Sequence, residues 1–137
     1  MSKFREKVIQ EKDQEAPELE IKKVTLDSVL NREDVSNIKE YHSIQLGGII
    51  DIKRINPEKI SSIIAEMNSG KVSELITYQR LVYLSCDFFQ NKEFIAKYTP
   101  PEPFEVVYPV LNKSIAEIYD IGNEILEWYG FDTDLKK

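Results

Sequence analysis

The run from Lys113 to Gly130, KSIAEIYDIGNEILEWYG, constrains this chain more than any other stretch. Ile115, Ile118, Tyr119, Gly122, Ile125, Leu126 and Tyr129 recur at intervals of three and four, so a helix puts all of them on one face. That face must be buried against another element. Ser114 and Glu117 have capping-box spacing, with the serine accepting from the N3 amide and the glutamate reaching back to the cap. Gly130 is a stop. Gly122 lies on the apolar face at a propensity cost of about 1 kcal/mol relative to alanine, which predicts a second helix approaching closely there.

The rest of the chain supplies the partners. KVSELITYQRLVYLSCDFF predicts a helix over about 72–87. Val72, Leu75, Ile76, Gln79, Val82, Tyr83 and Cys86 form one face and Tyr78, Leu81 and Leu84 widen it, so this helix should be central and packed on several sides. NPEKISSIIAEMNSG predicts a helix over 57–68, with Asn56 as N-cap, Pro57 at N1, Ile60, Ile63, Ile64 and Met67 as its stripe, and Gly70 as its stop. Thr25 can cap a short helix bearing Leu26, Val29 and Leu30. In YHSIQLGGIIDIKRI, His42, Ile44 and Leu46 alternate with polar residues before Gly47-Gly48, and Ile50 and Ile52 alternate after it. That is the pattern of a hairpin near residues 42–54 with glycines in a primed turn.

Prolines crowd FIAKYTPPEPFEVVYPVL, and two readings are open: an exposed polyproline ligand, or a structured corner. Phe94, Tyr98, Phe104, Val107 and Tyr108 are spaced to face inward from short helices, which favours the corner. Pro100 and Pro101 then mark a stop after Tyr98, Pro103 a start, and Pro109 an end or kink. The expected fold is mainly α with minor β: a charged arm over 1–23, one mostly helical domain over 24–131, and a polar tail over 132–137. The arm is either a solvated tail or a segment that orders on a partner.

Composition removes several functions. The 137 residues suit one domain, and 24 acidic against 18 basic residues give a net charge of -6, a poor basis for nonspecific nucleic-acid binding. Cys86 is the one cysteine, so neither an internal disulfide nor a thiolate metal cluster can form. A secretory h-region and a membrane-length apolar run are both lacking, which implies a soluble, cytoplasmic protein. His42, the one histidine, could pair with Cys86 on paper, but a cysteine on an apolar helix face is usually inert. No metal-ligand or phosphate-loop pattern occurs, so no enzyme and no cofactor is expected.

The C-terminal two-thirds resembles the XkdN-like tail assembly chaperones of Gram-positive phages, prophages and phage-tail-like bacteriocins. The resemblance is one of order and spacing over about residues 38–130. It is carried by Lys53-Arg54-Ile55-Asn56-Pro57, by Asp87-Phe88-Phe89-Gln90-Asn91-Lys92-Glu93-Phe94, by Tyr98 with Pro103-Phe104-Glu105-Val106-Val107, and by Ile125-Leu126-Glu127-Trp128-Tyr129-Gly130. Family members often carry Pro-Gly-Glu before the last helix, where this chain has a capping box. The resemblance implies a non-enzymatic chaperone that binds the tape measure protein in the host bacterial cytoplasm, assists polymerisation of the tail tube protein, and leaves the finished tail. Contact with the tube protein often runs through a frameshifted longer product, and self-association would let many copies coat one client. A permanent small tail or connector component is the alternative. The partner-binding surface is expected among the aromatics Phe88, Phe89, Phe104, Tyr108 and Trp128, because such rings favour interfaces. For Trp128, off the main face of its helix, a second packing surface is favoured over a partner contact.

Overall fold

In the computed structural model, residues 23–34 and 36–131 are described. The arm expected over 1–23 lies almost entirely outside them, and so does the tail expected over 132–137. The chain divides into two units after residue 35. The first contains α1 (Leu26–Leu30), which opens on a reciprocal cap: the Ser28 amide donates to Thr25 Oγ1 at 3.1 Å and the Thr25 amide to Ser28 Oγ at 3.4 Å. Leu26, Val29 and Leu30 all remain exposed.

The second unit runs β1 (Ile38–Ser43), β2 (Gly48–Lys53), α2 (Pro57–Asn68), α3 (Glu74–Ser85), a 3-10 turn (Asp87–Gln90), α4 (Lys92–Tyr98), a second 3-10 turn (Pro103–Val106), α5 (Val107–Val110) and α6 (Ile115–Trp128). The fold is mainly α with one antiparallel hairpin, as the periodicities predict. Among the described residues no helix is long and apolar enough to cross a membrane.

α3 is central, with α2, α5, α6 and both 3-10 turns against it. Its polar positions face neighbours too: Thr77 and Gln79 are buried beside Tyr78, Leu81 and Val82. α3 and α6 meet at Gly122. A Cβ added there would collide with the Tyr78 ring, lying 2.8 Å from Cε2. The close approach expected from a glycine on an apolar face is therefore what the fold uses. The Tyr78 hydroxyl donates to Asn123 Oδ1 at 2.8 Å, and the ring meets Tyr119 edge-on at 4.7 Å.

The inward face of α6 differs from the sequence expectation at two places. Ile115 is 43% exposed, while Ile121 is wholly buried. The capping box is half made: Ser114 Oγ accepts from the Glu117 amide at 3.2 Å, but the Ser114 amide already donates to Leu111 O at 3.0 Å. The Glu117 carboxylate is thereby free to turn to the hairpin. It is buried and accepts from the Ser43 hydroxyl and, at 3.1 Å, from the Gln45 amide.

The hairpin also departs from expectation. β1 starts at Ile38, and the turn is the four-residue Ile44–Gly47, with Gly47 at φ 71 and Gly48 already in β2. The inward side of β1 is set by Tyr41 and Ser43, which pair with Ile50 and Gly48 and face α6 through Glu117. His42 and Ile44 are consequently exposed, against the alternation read from the sequence.

In the proline corner, Thr99 ends α4 in the left-handed conformation (φ 41) and Pro103 starts the second 3-10 turn. Pro109 does not stop the chain. It falls within the first turn of α5, where a missing N–H is tolerated, and Leu111 still donates to Val107 O at 3.0 Å. The reversal comes after it, at Asn112 and Lys113 with φ 58 and 63. Val106, Val107 and Leu111 are the fully buried residues here, and Phe104 and Tyr108 are half-buried. After α6, Gly130 (φ 89) donates to Glu127 O at 3.0 Å and Phe131 to Leu126 O at 2.9 Å, a Schellman stop that folds Phe131 back.

Candidate partner-binding surface

The aromatics singled out from the sequence occupy separate neighbourhoods. Phe89 follows α3 in a tight 3-10 turn and is wholly buried, so it belongs to the core and no partner can touch it in the folded chain. The sequence shows Phe88-Phe89 as equivalents. In a 3-10 turn successive residues point about 120° apart, and only one of the pair can face inward.

Phe88 is the outward member, 38% exposed, with its ring edge-on to Phe89 at 5.5 Å and to Phe94 at 5.2 Å. Beside it, a depression of about 330 Å³ runs along β2, lined by Ile38, Ile49, Ile50, Asp51, Lys53, Ser85 and Asp87. Lys53 and Asp87 pair across it at 2.7 Å. Ser85 Oγ is buried with no hydrogen-bond partner among the described residues.

Phe104 lines a second groove of about 320 Å³ between α2, α3 and the second 3-10 turn. Ile63, Tyr83, Leu84 and Pro103 supply its apolar wall and Lys59 and Ser62 its rim. Arg80 spans it: the guanidinium pairs with Glu66 at 2.6 Å and stands 5.3 Å from the Phe104 ring. The Phe104 ring is thus held by a cation on one face while the groove stays open. Tyr108, a turn further on, is half-buried against the core.

Trp128 is a packing residue. Arg54, from the end of β2, lies 4.4 Å over its ring and donates to its carbonyl at 3.2 Å. The neighbouring Tyr129 hydroxyl donates to Ile55 O at 3.1 Å and accepts from the Ile55 amide. Together they clamp the end of the hairpin to the end of α6. The ring contacts of Arg54 and Arg80 had no signal in the sequence, because a cation over a ring becomes informative only once the ring beneath it is known.

The His42–Cys86 pair has no support in the geometry. His42 is on the outer face of β1, whereas Cys86 is wholly buried, and its thiol is pushed up to about 12 by burial and by the charges of Asp87 and Asp51. Such a thiol supplies almost no thiolate near neutrality. Among the described residues no group of three or more His, Cys, Asp or Glu side chains could hold a metal ion. Comparison of the chain with known protein families, curated proteins and solved structures returns no match.

Proposed function

We propose that this chain is a non-enzymatic tail assembly chaperone, acting in the host bacterial cytoplasm by holding an amphipathic helix of the tape measure protein until tube protein polymerises around it. The observation that carries the reading is the Phe104 groove. Its apolar lining of Ile63, Leu84 and Phe104 and the charged side chains of Lys59, Glu66 and Arg80 beside it suit the apolar face and polar flanks of a helical client. The stretches that carry the family resemblance give support. Asn56-Pro57 starts α2, Asp87–Phe94 turns the chain out of α3, Pro103–Val107 lines the groove, and Ile125–Gly130 closes α6.

Co-expression of the tagged chain with fragments of the tape measure protein tests this. The expected result is a soluble complex from which the chain is missing once tails are complete. Capture that fails with every fragment overturns the reading. Retention of the chain in purified tails would make it a permanent tail component instead.

A further inference from the structure

The two edges of the hairpin have different neighbours. The outer side of β2 lies against the 3-10 turn Asp87–Gln90, where Lys53 is bound to Asp87 at 2.7 Å. β1 is different. Arg54 donates to Asn37 O at 3.0 Å, and this fixes the hydrogen-bonded pairs at Asn37, Lys39, Tyr41 and Ser43. The N–H and C=O groups of Ile38, Glu40 and His42 therefore point away from β2. At Ile38 both are taken by the Ser36 hydroxyl, which accepts from the amide at 3.1 Å and donates to the carbonyl at 2.7 Å. Among the described residues no hydrogen bond engages the outward groups of Glu40 and His42. Such an edge is a template for another strand.

We propose that β1 pairs antiparallel with β1 of a second copy, about a two-fold axis through Tyr41, joining the two hairpins into one sheet. In this register Glu40 stands opposite His42 of the second copy. Each donates its amide to the other's carbonyl, and the axis repeats the pair. The side chains match as well, because an imidazole N–H donates to a carboxylate in either protonation state. On the same face Ile38 meets Ile44 of the second copy, and these residues are 52% and 83% exposed in the single chain. The neighbouring registers, shifted by two residues, set Glu40 against itself or His42 against itself, and lose the match.

A further strain favours the same partner. Glu40 lies directly across the hairpin from Asp51, a like-charged pair. The pairing puts the second copy's imidazole on the other side of Glu40, where its N–H offsets that repulsion. The pairing does not depend on the function proposed above.

Sedimentation velocity of the full chain over a range of concentrations tests it, alongside Glu40→Lys, His42→Glu and the double variant. Wild type should form a concentration-dependent dimer, and each single variant should dimerise about tenfold more weakly. The double variant, which exchanges the signs of the pair, should recover. Both positions are exposed, so circular dichroism should show the fold intact in all of them. Hydrogen exchange at the Glu40 and His42 amides should slow as the dimer forms. A wild type that stays monomeric, single variants that dimerise normally, a double variant that does not recover, or amides that exchange unchanged in a dimer would each overturn the proposal.

Discussion

Gly122 and Tyr78 show how much one hydrogen atom can decide. Gly122→Ala gains helix propensity of about 1 kcal/mol, yet its methyl group would collide with the Tyr78 ring that holds α3 against α6. Overpacking of this kind costs about 1–3 kcal/mol, so the variant should be net destabilised, read as a lower urea midpoint. Titration adds a second expectation. Burial pushes Tyr78 and Tyr41 up to about 12, helped by Glu74 and Tyr119 for the first and by Glu117, Asp120 and Glu124 for the second, and it does the same for the Cys86 thiol. Each group holds its proton more tightly folded than unfolded. Their contribution to stability is therefore fully present below the ordinary values of 9.0 for the thiol and 10.0 for the phenols and lost as pH rises through about 12. Urea midpoints should fall across that alkaline window, and thiol reagents should modify Cys86 only as the chain opens. Gly122 was legible in the sequence because a glycine inside an otherwise unbroken apolar stripe needs a reason. Tyr78 was not identifiable as that reason, because periodicity names a face and not the residue that arrives against it.

The three long helices begin where their capping residues stand, and two of them end before a glycine. Asn56, Ser73 and Ser114 each accept from an amide in the first turn, and Gly70 and Gly130 take the left-handed conformation beyond the last. The link between hairpin and α6 is of another kind. Glu117 is buried and binds both Ser43 and the Gln45 amide, so Glu117→Ala strands a buried hydroxyl and an amide. A loss of about 2–3 kcal/mol follows, together with faster hydrogen exchange at Gln45. Local spacing assigns that glutamate to its own helix cap, and only the Ser114–Leu111 bond shows why it is released. At the turn before α6, Lys113 has φ 63, a conformation natural to glycine. Lys113→Gly should stabilise the chain by about 0.5–1 kcal/mol, measurable by thermal or urea unfolding, because relief of the left-handed strain exceeds the added freedom of the unfolded chain. The proline corner follows the same logic. The prolines were legible as punctuation, but Pro109 sits inside a helix because its absent N–H falls in the first turn.

At the scale of the whole molecule, core and surface separate residues that look alike in the sequence. Phe89→Ala empties a fully buried site and should cost about 3–5 kcal/mol. Phe104→Ala, at the half-buried wall of the groove, should leave the fold standing and weaken capture of a tape measure fragment by about tenfold or more, a hot-spot loss of at least 1.4 kcal/mol. Equal capture by a folded Phe104→Ala chain would remove the groove as the client site. Local sequence settled the mainly helical class, the presence of a hairpin, the N-caps at Thr25, Asn56 and Ser114 and the centrality of α3, because these depend on periods and end signals within a dozen residues. Contacts between distant segments decided that Phe89 is core while Phe88 is not, that Trp128 is clamped under Arg54, that Glu117 serves the hairpin, and that among the described residues nothing engages the outward backbone groups of Glu40 and His42. Each of these is a contact, or a vacancy, between segments up to 74 residues apart, and no local pattern encodes what a distant segment will bring.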